Sequence, residues 1–213
     1  MKVQYSFNHT PRYLFCQAEM VAQIMAQILY NRVMFSDPKK NVLEFGFIPG
    51  QKVVDLASGA GHYSLALSTV LGLTGKVVAV DLNEDILAKL KNESIRSGQD
   101  NIEVINGDVQ KRNGTKLRDG FADGVVFSNI LYQLNDLSGA VEEAKRILKL
   151  GGKVCIVEWS DLSVITNKKL SRELAPLTEA DSKKLFEKAG FVFERGFGAG
   201  EHHYGLILKK PLQ

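Results

Sequence analysis

From Gln51 onward, short runs of β-branched and aliphatic residues alternate with stretches whose apolar positions recur every three or four residues. The pattern predicts a strand over Gln51–Ala57, around Val53-Val54-Asp55-Leu56, and a helix over His62–Leu71. A second strand is predicted over Lys76–Leu82. A helix follows over Glu84–Ser97, with Ile86, Leu87, Leu90 and Ile95 on one face, Asn83 as cap and Gly98 as stop. Strands are predicted over Asn101–Val109 and Ala122–Ile130. A helix over Ser138–Leu150 is stopped by Gly151-Gly152, and a fifth strand spans Lys153–Trp159. Such continuous apolar strands, separated by helices, imply a parallel sheet covered on both faces.

The end of the chain breaks the alternation. Thr178-Glu179-Ala180-Asp181 reads as the capped start of a helix running to Ala189, which Gly190 terminates. Phe191–Phe197 and Tyr204–Lys209 then follow as two strands with no helix between them, so they pair antiparallel. The expected fold is α/β: a doubly wound, seven-stranded, mostly parallel sheet with an antiparallel strand near the C-terminal edge. Asp37-Pro38 and Pro49-Gly50 read as turns. Residues 1–40 are set apart as an N-terminal helical lid segment before a single domain over 41–213. The stripe Leu14, Met20, Val21, Ile24, Met25, Ile28 and Leu29 fits either a lid over a ligand crevice or a helix packed permanently on the core.

Composition narrows the class. With 213 residues, 45% hydrophobic, 24% charged and a net charge of +3, the chain is ordinary globular protein. That charge does not call for nucleic acid or an anionic membrane, and the paired lysines are scattered. Cys16 and Cys155 lie far apart with no metal-ligand spacing, so no metal and no disulfide is expected. The start shows no signal-peptide core, and no apolar run is long enough to span a bilayer, so a cytoplasmic location is expected.

The chemistry concentrates in Val53-Val54-Asp55-Leu56-Ala57-Ser58-Gly59-Ala60-Gly61-His62, which joins the first strand to the first helix. Gly59 and Gly61 remove side chains where a ligand would approach the backbone, and the free N–H groups of the helix start lie there too. Two glycines alone also fit a tight turn. Asp81 changes the balance: it ends the second strand, where a carboxylate can accept hydrogen bonds from both hydroxyls of a ribose. Loop and carboxylate together indicate a nucleoside-containing ligand. A dinucleotide fingerprint wants glycine or alanine where Ser64 stands.

The order Asp55-x-x-x-Gly59-x-Gly61, Asp81, Gly107-Asp108, Phe121-Ala122-Asp123-Gly124-Val125 and Arg146-Ile147-Leu148-Lys149-Leu150-Gly151-Gly152 resembles the class I S-adenosylmethionine-dependent methyltransferases. Within them it is similar to the small ubiquinone/menaquinone-biosynthesis type. Leu150 replaces the proline of their glycine turn. The resemblance implies S-adenosyl-L-methionine as cofactor and a small-molecule acceptor. It implies a cofactor site of Asp55, Ala57, Ser58, Gly59 and Gly61 from the loop, Asp81 and Leu82 at the ribose, Asp108 and Val109 beside adenine, and Asn129 at the reacting end. It transfers no catalytic residue, because the cofactor carries the hard chemistry. Glu158, His202, His203 and Tyr132 could each meet the acceptor. A solvated strand-end carboxylate, loop or edge-strand histidines and a packed tyrosine are the plainer readings. Two other functions stay open: a nicotinamide-dependent oxidoreductase using the same loop, and a non-catalytic S-adenosylmethionine-binding module.

Overall fold

The computed structural model describes residues 36–161 and 177–213. The expected N-terminal lid segment, 1–40, therefore lies outside the described residues save for 36–40. Ser36–Gln213 forms one compact unit. In chain order its elements are α1 (Pro38–Glu44), β1 (Lys52–Leu56), α2 (His62–Leu71), β2 (Lys76–Asp81), α3 (Glu84–Arg96), β3 (Ile102–Asn106) and β4 (Ala122–Ser128). A 3₁₀ turn (Leu131–Gln133), α4 (Leu137–Ile147), β5 (Leu148–Trp159), α5 (Glu179–Lys188), β6 (Val192–Gly200) and β7 (His203–Lys209) follow.

The seven strands form one sheet in the order β3-β2-β1-β4-β5-β7-β6. The pairs through β5 are parallel, and β7 is antiparallel to both β5 and β6. This is the expected architecture. The chain winds outward from β1 to β3, then crosses to the other side of β1 for β4 and β5. The loops after β1 and β4 thus diverge at a switch point, where open α/β sheets hold their ligands. Val53, Val54, Val78, Val80, Val125 and Phe127 are fully buried because helices cover both faces. One core cluster joins Leu56, Val80 and Phe127 to α4 and α5 through Ile147 and Phe186; a second joins Val53, Val77 and Val126 to α1 and α2 through Val42 and Leu67, and a smaller one joins Ala79 to α3 through Leu87 and Leu90.

Three local expectations are corrected. Asp37-Pro38 starts a helix rather than a turn: the Asp37 side chain accepts from the N–H groups of Lys39 and Lys40, and Pro38 fits the first helical turn. The helix expected to reach Leu150 ends at Ile147, and Gly151-Gly152 lie inside β5 rather than stopping a helix. Lys210 imposes this by pairing with the strand from the C-terminal end. Gly151 N–H donates to the Lys210 carbonyl, and Lys210 N–H donates to the Gly152 carbonyl, both at 2.9 Å. On α3, Leu87, Leu90 and Ser94 are buried, whereas Ile95, expected in the stripe, is 58% exposed. Among the described residues no helix is long and apolar enough to cross a membrane.

Candidate active site

The site is built from the carboxyl ends of β1, β2, β3, β4 and β5. β1 delivers Asp55, which is fully buried. One of its oxygens, Oδ2, accepts from Ser64 Oγ at 2.6 Å, and Oδ1 has no partner. Burial pushes its pKa up to about 7 against the pull of the Ser64 side chain and backbone N–H. Ser64, noted in the sequence only for not being glycine, is thus what anchors this carboxyl group. The spacing from Asp55 to Ser64 was the available signal.

The loop after β1 turns through three left-handed residues: Ala57 at φ 55°, Gly59 at 52° and Gly61 at 77°. The two glycines serve different needs. A Cβ on Gly61 would lie 2.3 Å from Leu90 Cδ1, so this glycine lets α3 pack against the loop. A Cβ on Gly59 would meet nothing within 4 Å, so the space above it is open. Ala57 and Asn129, at φ 54°, are the non-glycine residues held left-handed at the ends of β1 and β4. Such strain is characteristically stored at functional sites.

Asp81 ends β2 and ties the loops together. Its Oδ2 accepts from Gly59 N–H at 2.8 Å and its Oδ1 from Asn83 N–H at 2.9 Å. Its own carbonyl accepts from Gly107 N–H at 3.0 Å. Asn83 caps α3 by accepting from the N–H groups of Asp85 and Ile86. Asp81 is therefore a loop anchor as well as a presented carboxylate, and each oxygen keeps a further lone pair. Leu82 is 63% exposed beside it. Asp108 accepts from Gln110 N–H and pairs with Lys111 at 3.1 Å, and the Gln110 N–H contributes most to holding its pKa below the usual range. The Val109 side chain packs into the core among Leu131 and Val141.

Ser58 Oγ in the loop and Asn129 Oδ1 after β4 are buried and have no hydrogen-bond partner. Glu158 overturns the expectation of a solvated carboxylate: it is fully buried, accepts from the N–H groups of Leu131 and Trp159 at 2.8 Å each, and burial pushes its pKa up to about 7. His203 is corrected likewise. It lies in β7 between two strands and is only 6% exposed, neither in a loop nor on an edge strand. Tyr132 lies half-buried in the 3₁₀ turn, with its pKa raised by burial and then by the nearby Glu158. Among the described residues no group of three or more His, Cys, Asp or Glu is placed to hold a metal.

Comparisons with known proteins agree with this geometry. Residues 32–174 match the model of the ubiE/COQ5 methyltransferase family. The ubiquinone/menaquinone biosynthesis C-methyltransferase UbiE of Xanthomonas oryzae is 28% identical over 78% of this chain and 62% of its own length. A demethylmenaquinone methyltransferase of Staphylococcus aureus is 27% identical over 73% of this chain and 63% of its own. The chain thus spans a little under two thirds of these relatives. The crystal structure of an S-adenosylmethionine-dependent methyltransferase from Aquifex aeolicus superposes with a TM-score of 0.72 at 27% identity, covering 84% of this chain and 92% of that one. Sheet order, glycine loop and strand-end carboxylates therefore have one common explanation: the chain belongs to the ubiE/COQ5 methyltransferase family.

Proposed function

We propose that the protein is an S-adenosylmethionine-dependent methyltransferase acting on a small aromatic acceptor of the quinol type. The observation that carries the proposal is Asp81, fixed by two backbone N–H groups at the switch point of the sheet, beside a glycine whose outer side is open. Membership of a methyltransferase family favours this over a nicotinamide oxidoreductase on the same loop. It also favours an enzyme over a binding module.

The residues present fit the cofactor. Asp81 keeps acceptor capacity for the two ribose hydroxyls, and Leu82 offers apolar contact at the rim. Gly59, with Ala57 and Ser58, offers a backbone surface for the aminoacyl end, and Gly61 lets that loop close on α3. The buried Ser58 Oγ and Asn129 Oδ1 have hydrogen-bonding capacity that no protein group uses. Asp108, with the backbone of Val109, would flank adenine. Asp55, buried behind the loop, orders it through Ser64. The chemistry supplied by bound S-adenosylmethionine is a methyl group already activated on a sulfonium. What remains for the chain is to orient the acceptor in line and keep water out.

What the two relatives are named for supports the acceptor class. A small acceptor rather than a nucleic acid also suits a net charge of only +3. The reducing cytoplasm suits Cys155, which is buried as a free thiol. The test is incubation with methyl-labelled S-adenosylmethionine and naphthohydroquinone under reducing conditions. Label should pass to the ring compound, and Gly59→Val should abolish the transfer. Absence of label from every quinol tried, with transfer to another small molecule in a cell extract, would replace the acceptor class and keep the reaction.

A further inference from the structure

β5 ends at Trp159, and antiparallel pairing sets this residue directly against His203, the first residue of β7. Their ring centroids are 3.9 Å apart at an interplanar angle of 41°. His203 is 6% exposed, yet neither Nδ1 nor Nε2 has a hydrogen-bond partner. Buried imidazoles are ordinarily satisfied, so two unmet ring nitrogens call for an explanation. Burial holds the ring neutral to about pH 4, with His202 adding to that effect, so it offers one N–H and one lone pair.

The position of this ring matters as much as its state. It lies at the carboxyl edge of β5, the edge to which β1 and β2 bring the glycine loop and Asp81. Just past the end of β4, the strand between, the Asn129 N–H donates to the Val157 carbonyl at 2.8 Å, and Asn129 Oδ1 is likewise buried and unmet, facing the cofactor side. Glu158 makes the contrast. Its side chain belongs to the other face of the strand, and both its oxygens are engaged by backbone N–H groups. The carboxylate is occupied in holding the 3₁₀ turn, and the histidine is the group left available.

We propose that His203 hydrogen-bonds and positions the methyl acceptor, with the Trp159 ring beside it. The inference rests on the methyltransferase reading and deepens it. A hydroxyl matches a neutral imidazole in either sense, donating to its lone pair or accepting from its N–H. The indole adds a flat apolar surface for an aromatic ring. His203 is in this account a positioning residue.

The experiment is calorimetric titration of naphthohydroquinone into protein saturated with S-adenosylhomocysteine, for wild type, His203→Phe and His203→Gln. The phenylalanine keeps a flat ring but no hydrogen bond; the glutamine keeps a donor and an acceptor. Expected are S-adenosylhomocysteine affinities within twofold of wild type for both variants. Naphthohydroquinone affinity should fall at least tenfold in His203→Phe, with a matching rise in KM for methyl transfer, and recover to within about threefold in His203→Gln. Unchanged acceptor affinity in His203→Phe would overturn the inference, as would equal loss of both ligands in the two variants. Failure of the wild-type protein to bind S-adenosylhomocysteine would overturn the methyltransferase reading itself and is read separately.

Discussion

The Asp81 carboxylate accepts the backbone N–H of Gly59 at 2.8 Å, so the residue expected to hold a ribose also holds the loop beside it. With the Asn83 N–H on its other oxygen, one side chain sets the loop after β1 and the start of α3 together. Asp81→Ala should therefore weaken S-adenosylhomocysteine binding by about 1.5–3 kcal/mol, through lost charge-assisted hydrogen bonds. Calorimetry gives the affinity directly. An unchanged value would mean that the ribose is held elsewhere.

Gly59 and Gly61 should respond differently to alanine. At Gly61 the new Cβ meets Leu90 at 2.3 Å and φ is 77°, so overpacking adds to backbone strain. The expected destabilisation is about 2–4 kcal/mol. At Gly59 only the strain at φ 52° applies, about 1 kcal/mol, while the Cβ occupies open space on the ligand side. Denaturant unfolding should rank Gly61→Ala as the less stable variant. Calorimetry should show Gly59→Ala losing affinity out of proportion to its stability.

Asp55 makes stability depend on pH with a definite sign. Its pKa is raised from 3.8 to about 7, so the folded state keeps the proton to higher pH than the unfolded chain. The stability it contributes is fully present below 3.8 and is lost as pH rises through about 7. Glu158, raised from 4.5 to about 7, acts in the same sense, and His203, lowered to about 4, opposes them at lower pH. The informative comparison is therefore Asp55→Asn against wild type. The variant should gain relative stability between about pH 4 and about pH 7 and then level off. Urea unfolding across that range checks it, and a constant difference would show that Asp55 is ionised throughout.

Glu143 titrates in the opposite sense. Burial alone would raise its pKa, but Arg146, Thr115 and the N–H groups of Asn113 and Thr115 outweigh burial and hold it at about 2. Its stabilising effect is present above 4.5 and is lost as pH falls toward about 2. Glu143→Gln leaves Arg146 with the exposed Asp119 as its remaining charged partner and should cost on the order of 3 kcal/mol at neutral pH. The loss should shrink on acidification. A pH-independent difference in urea midpoints would contradict this.

The strands were legible because β-branched runs such as Val77-Val78-Ala79-Val80 must be buried on both faces, and the glycine loop was legible from its spacing. What was not legible depends on distant partners. Lys210 draws Gly151 and Gly152 into β5 from some 60 residues away, which no local pattern announces. Leu87 and Leu90, packed on the sheet, set the buried face of α3 at a phase that includes Ser94, whose hydroxyl is satisfied by the Lys91 carbonyl at 2.8 Å, and leaves Ile95 outside. Glu158 read as a solvated carboxylate and His203 as a loop or edge-strand histidine because the composition of a strand end does not reveal what packs over it. The stripe between residues 11 and 34 lies outside the described residues.

The central claim is that the loop and Asp81 form an S-adenosylmethionine site. Calorimetric titration with S-adenosylhomocysteine tests it most directly. The account predicts saturable binding to one site per chain and a ligand-dependent rise in Tm, both reduced by Asp81→Ala. No heat and no thermal stabilisation at millimolar ligand would contradict it.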